Sequence, residues 1–260
     1  MKILFYIIGL SALFFTSCSK DEDVIQPESE GKTTLTFDAV FGSQDFALNK
    51  DFTSETKTLN FSKFRYWVSN VILVKSNGEE FTIPNSYYLL EETSPVKVQD
   101  GAFTYPATKR EDIEIKGIPA GEYKAIKFAV GVNSQYNDNL SLQAGELSQL
   151  NGMTNISWMW MTSYIFSSIG GQMTESGTAK NLLLETGLNV NYKVVSLDLP
   201  APIQINSLKD SKILLKADVQ KAINDIDIIA NPIVGASKPS VMAAIATNYS
   251  TKVFSVVSSN

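Results

Sequence analysis

Apolar residues recur in this chain with a period of two. In the stretch from Leu35 to Phe41, Leu35, Phe37, Ala39 and Phe41 alternate with Thr36 and Asp38, and Thr34 precedes them. On a pleated strand that spacing turns one face toward a core and the other toward water. A helix would need repeats of three and four residues, so the pattern restricts the fold before any motif is considered. Two hairpins continue it. Phe64 to Lys75 leads through Ser76-Asn77-Gly78-Glu79 into Glu80 to Ile83, and Asn-Gly supplies the positive-φ residues of a tight turn. Ile113-Glu114-Ile115 leads through Pro119-Ala120-Gly121 into Tyr123 to Val132. Further strands are expected at 157–166, 182–186, 192–199 and 212–219. Late stretches where Ala and Met replace β-branched residues predict helices at about 218–229 and 240–249. Short strands joined by turns, without a βαβ rhythm, predict an all-β fold: an antiparallel β-sandwich with one or two short C-terminal helices. No repeat or linker interrupts residues 34–260, which are expected to form one domain.

Composition then removes whole classes of chemistry. The 260 residues include no histidine and one cysteine. Serine–histidine and cysteine–histidine catalysis are excluded, and so is any metal site that needs imidazole. Disulfides and zinc–thiolate clusters are excluded as well. A net charge of −5 argues against a nucleic-acid partner, which would select a basic face.

The N-terminus predicts the compartment. Residues 1–17 begin with Lys2, continue as an uncharged run from Ile3 to Phe15, and end in small residues before Cys18. This is the layout of a secretory signal, and the run is shorter than the roughly 20 apolar residues a membrane-spanning helix needs. Phe15-Thr16-Ser17-Cys18 resembles a bacterial lipobox, in which the Cys18 thiol is acylated and starts the mature chain. Residues 18–33 are charged and contain Pro, Gly and Ser, as expected of a flexible acidic tether. Within them Ser19-Lys20-Asp21-Glu22-Asp23 resembles the acidic export signal of Bacteroidetes surface lipoproteins. The expectation is an outer-membrane lipoprotein, surface-exposed or facing the periplasm, bound to the membrane through lipid alone.

Residues 152–171 carry the densest information. On a strand, Trp158, Trp160, Tyr164 and Phe166 share one face, and Met159, Met161, Ser163 and Ile165 share the other. Apolar side chains on both faces predict a central, doubly covered strand. Four of the six methionines fall between positions 153 and 173. Thioethers are soft ligands suited to Cu(I), although Met also fills irregular gaps in cores.

Trp158-Met159-Trp160-Met161-Thr162-Ser163-Tyr164 resembles the Trp-x-Trp-x-x-Gly-Tyr motif of the MbnP-like copper-binding lipoproteins. The resemblance extends over Leu59 to Leu90, over Ile118 to Val132 with its Pro-Ala-Gly-x-Tyr turn, and over Leu184 to Leu199. It implies a β-sandwich, a copper cofactor and no enzymatic activity. It also implies a dihaem peroxidase-like partner, with histidines and an oxidised tryptophan as ligands. This chain departs from that pattern in three places. Glu185-Thr186-Gly187 stands where the family has His before Leu-Gly, Ser163 replaces the motif glycine, and Ala243 and Ala244 follow Met242 where a histidine is common. The candidate metal residues are therefore Trp158, Trp160, Met159, Met161 and Glu185, and no other cofactor is expected. A second reading, of a different class, is a surface adhesion or glycan-binding sandwich without metal, using aromatics in loops such as Tyr87-Tyr88 or Tyr136. Ser54-x-x-Lys57 and Asn137-Asp138-Asn139 match catalytic and calcium-loop spacings only in part, and read as solvated turns.

Overall fold

The computed structural model describes residues 30–98, 101–155 and 163–260. The smaller of two principal sheets centres on β1 (Glu30–Phe41). It is flanked by β10 (Asp112–Pro119) and β16 (Ser211–Asp218), with β18 (Phe254–Ser259) outside β16 and the short β2 (Gln44–Asp45) at one end. The larger sheet runs β15 (Lys193–Ile205), β11 (Gly121–Val130), β4 (Lys57–Lys75), β13 (Ser163–Glu175), β14 (Thr178–Gly187) and β17 (Ile233–Val234). The long β4 also pairs with β3 (Asp51–Ser54), β5 (Glu80–Thr82) and β6 (Tyr87–Thr93), and β9 (Thr108–Arg110) adds to β6. Two smaller pairings complete it: β12 (Thr154–Asn155) with the start of β13, and β7 (Val96–Val98) with β8 (Phe103–Tyr105).

The expected all-β sandwich is present, and its core follows from alternation. Leu35, Phe37, Ala39 and Phe41 of β1 are all buried. Phe37 meets Phe128 and Phe254 edge-on at centroid distances of 5.3 and 6.0 Å, while Phe41, Phe46, Phe52 and Phe61 form a second ring cluster. Each such ring removes about 150–250 Å² from water, worth several kcal/mol at roughly 25 cal/mol per Å².

Several boundaries differ from the sequence reading. β1 begins at Glu30 and pairs there with Pro119, so the last four residues of the expected tether belong to the sheet. The pairing is not wholly antiparallel, because β1 runs parallel to β16 and β14 parallel to β17. β16 reaches β1 only after the chain has built the larger sheet, and the long connection that parallel strands need is available. Strands β6 to β9 occupy a stretch where no strand was expected. The first late helix, α2 (Val219–Ile223), is five residues long. Its continuation is broken by Asp227, whose side chain accepts from the Ala230 N–H and whose carbonyl accepts from Asn231, a local alternative to helical bonding. α3 (Pro239–Asn248) agrees with expectation and starts on Pro at its first position. A four-residue helix, α1 (Ser134–Asn137), precedes the hairpin of the aromatic motif. No helix among the described residues is long and apolar enough to cross a membrane.

Candidate functional site

Trp158, Met159, Trp160 and Met161 lie outside the described residues, as does Cys18. What precedes and follows the tryptophan motif is well defined. Asn155 pairs with Ser163 and Thr154 with Tyr164, and the Ile165 N–H donates to the Met153 carbonyl at 2.9 Å. Ser163, at the family's glycine position, is buried. Tyr164 packs edge-on against Trp67 at 5.9 Å, and its N–H donates to Asn137 Oδ1 at 2.9 Å. Ser163 to Phe166 are buried without exception, which agrees with a doubly covered strand for the described half of that segment.

Glu185 is on β14 and belongs to a row that crosses five strands. Arg110 of β9 opposes Glu91 of β6, Glu91 opposes Arg65 of β4, Arg65 opposes Ser168 of β13, and Ser168 opposes Glu185. Directly opposed residues share a face. This face is the one turned away from the sandwich core, because the neighbours Phe64 and Tyr66 take the ring contacts with Phe46 and Phe254.

The row is polar yet largely shut off from water. Arg65 Nε and Nη2 both reach Glu91 Oε2, at 2.7 and 2.6 Å. Nη2 also donates to the Asn151 carbonyl at 2.7 Å, and the guanidinium sits 4.9 Å from the Tyr105 ring centroid. The Tyr105 hydroxyl donates to the other oxygen, Glu91 Oε1. Arg65 and Glu91 are 1% and 5% exposed, so each charge survives burial only because the other is present. The pair also fixes Asn151, three residues ahead of β12.

Glu185 itself is 8% exposed. Ser168 Oγ donates to Oε1 at 3.2 Å, and Lys63 Nζ lies 3.7 Å from the same oxygen. Burial pushes the Glu185 carboxyl above its usual range, opposed by the Lys63 ammonium and the Ser168 hydroxyl. Burial also pulls the Lys63 amine below its usual range, opposed by Glu185.

As a copper ligand, Glu185 is poorly disposed. Its carboxylate already holds an ammonium, and a second cation would have to displace it. The described residues contain no group of three or more Cys, Asp or Glu able to hold a metal ion, and the chain has no imidazole. They do not fit a Cu(II) centre.

The loop aromatics suggested for glycan binding are not loop residues. Tyr87 and Tyr88 are on β6, Tyr87 is buried, and Tyr136 packs edge-on against Tyr87 at 5.1 Å. Burial, with Tyr192 and Tyr136 close by, pushes the Tyr87 phenol up to about 12. Sequence reasoning missed Arg65, Glu91, Tyr105 and Ser168. One signal was available: Arg65 interrupts an otherwise apolar run between Phe64 and Val68, and a charge there must be paired.

A two-sheet β-sandwich whose outer sheet face is capped by loops defines a class of protein that displays its site on a rigid frame. The family is narrower. The family model described as MbnP matches residues 30–243, and the chain belongs to that copper-associated family of binding proteins. Among solved structures, MbnP from Methylosinus trichosporium is similar, with 14% identity over 87% of this chain and 98% of that chain at a TM-score of 0.49. No curated protein matches.

Proposed function

We propose that this protein is a non-enzymatic, lipid-anchored binding module of the cell envelope whose copper chemistry has moved from imidazole to thioether. Met159 and Met161 supply soft sulfur to Cu(I), and Glu185 has left the ligand set. Acylated Cys18 holds the chain at the outer membrane. The observation that carries the reading is the state of Glu185: the family's ligand position is occupied by a carboxylate that Ser168 and Lys63 already bind. With that position closed and histidine absent, the clustered methionines are the remaining soft donors.

The test is an anaerobic Cu(I) titration of three chains: the native sequence, Met159→Leu/Met161→Leu, and Glu185→Gln. The double variant loses Cu(I) binding and Glu185→Gln keeps it. Equal affinity for the native chain and the double variant, or no affinity in the native chain, ends the thioether reading.

A further inference from the structure

The polar row ends in a cleft that neither the copper reading nor the family match uses. It is lined by Glu91 and Arg110, the last two residues of the row, by Phe103 and Tyr105 of β8, and by Glu146 and Leu150; the cleft holds about 400 Å³. Phe103 and Tyr105 are two apart on β8 and so project to the same side. Phe103 and Leu150 are 40% and 47% exposed, so two large apolar side chains that line the cleft are open to solvent.

The charges in and beneath this cleft cancel. Arg110 pairs with Glu146, which also accepts from the Leu89 N–H at 3.0 Å. Glu91 is matched by Arg65 beneath it. An anionic or cationic ligand would meet its own sign as often as the opposite one, with no net attraction. A wholly apolar ligand would strip water from Arg110 and Glu146 without replacing the hydrogen bonds. The remaining chemistry has one apolar face and a rim of hydroxyls. A pyranose ring stacks its C–H face on an aromatic or aliphatic wall and directs its hydroxyls at planar polar groups such as guanidinium and carboxylate. The volume falls at the small end of ligand pockets, about 300–1,000 Å³, which suits a mono- or disaccharide.

We infer that the cleft between Phe103, Leu150 and the Arg110–Glu146 pair is a binding site for a small neutral carbohydrate. The site is independent of the copper reading and survives its failure. It also differs from the Tyr87, Tyr88 and Tyr136 aromatics, of which Tyr87 is buried and the other two are half-buried.

Calorimetric titration of the full chain, kept in a detergent without a sugar headgroup, tests this. The neutral probes are glucose, galactose, mannose, xylose, maltose, cellobiose and N,N′-diacetylchitobiose, and the charged controls are glucuronate and glucosamine. At least one neutral probe binds saturably, and Phe103→Ala weakens it about tenfold. Phe103 is part-exposed, so the variant keeps its melting temperature. The inference is overturned if no neutral probe binds, if Phe103→Ala leaves the affinity unchanged, or if a charged control binds more tightly than every neutral probe.

Discussion

Lys63 reaches Glu185 across an intervening strand, with Nζ 3.7 Å from Oε1, by lying over Gly170 of β13. Lys63 opposes Gly170 directly in the ladder. A Cβ at position 170 would stand 2.6 Å from Lys63 Cε and 2.9 Å from Cγ. The missing side chain of Gly170 is therefore what lets the lysine cross. Gly170→Ala is expected to push Lys63 off its path and leave Glu185 with Ser168 alone, destabilising the fold by about 1–3 kcal/mol. Urea unfolding checks it, with Lys63→Ala/Gly170→Ala as the second arm. If the clash with Lys63 is the cause, Gly170→Ala costs much less in that background.

The same pair sets a pH dependence of defined sign. Folding raises the Glu185 pKa, so the native state holds that proton more tightly than the unfolded chain does. The resulting stability is complete below the unfolded carboxyl value and is lost as pH rises through the folded one. Folding lowers the Lys63 pKa, so its contribution has the opposite slope: it grows as pH rises from the folded value toward the ordinary lysine range. Each group is buried at a cost that the other offsets in part. Lys63→Met/Glu185→Leu is therefore expected to be neutral or stabilising at pH 7, whereas Glu185→Gln alone is destabilising. Unfolding free energies across the acid range should show a falling component in the native chain that is missing from Glu185→Gln.

The Arg65–Glu91 pair should tolerate less. Both charges are buried, and both guanidinium contacts end on one carboxylate oxygen. Removing either partner strands the other, so Arg65→Met and Glu91→Gln should each cost about 3–5 kcal/mol. Arg65→Lys is expected to rescue little, because one ammonium cannot reach Glu91, the Asn151 carbonyl and the Tyr105 ring face together. Melting temperatures of the three variants decide this, and a fully restored melting temperature for Arg65→Lys would contradict it.

The sandwich was legible in the sequence where alternation is strict, and the site was not. Leu35 to Phe41 could be assigned a face from seven residues because only one face of β1 is polar. β4 cannot be treated so: Phe64 and Tyr66 face the core while Arg65 and Trp67 face the capped outer side, and all four are buried. The surroundings of Glu185 could not be read from the sequence, because its partners, Ser168 and Lys63, are reached only through strand register. That register shifts between Ile165 and Ser167 and again between Gly170 and Gly171, where no local signal fixes it. Tyr87 and Tyr88 follow Pro84-Asn85-Ser86, which suggested a loop, but their pairing with Ser69 and Val68 makes them strand residues.

Gly131 follows the last residue of β11 and lies against Phe166. Its φ is +117°, a region that side-chain-bearing residues rarely adopt. Its N–H donates to the Trp67 carbonyl at 3.0 Å. A Cβ there would fall 2.5 Å from Phe166 Cδ2, and Phe166 is fully buried. Gly131→Ala combines backbone strain with overpacking and should cost about 2–4 kcal/mol. Phe166→Leu in the same chain would make room at the ring but leave the backbone strain, so partial recovery is expected. Full recovery would assign the whole effect to the ring contact.

The chemical state of Trp158 and Trp160 distinguishes a thioether Cu(I) site from one built on an oxidised ring. If an oxidised tryptophan served as a ligand here, as the sequence resemblance implies, an oxidising partner would have to act on this chain. A thioether Cu(I) site does not require that oxidation, because Met159 and Met161 are competent donors as translated. Protein isolated from its host membrane is therefore expected to carry lipid on Cys18 and to have unmodified Trp158 and Trp160. Intact-mass measurement followed by peptide mapping of residues 152–171 reads both. A Cys18→Ser chain should lack the lipid mass and leave the membrane fraction, since no other anchor is expected. Oxygen added at Trp158 or Trp160 would instead mean that the ancestral ligand chemistry persists without histidine, and the site would then have to be rebuilt around the modified ring.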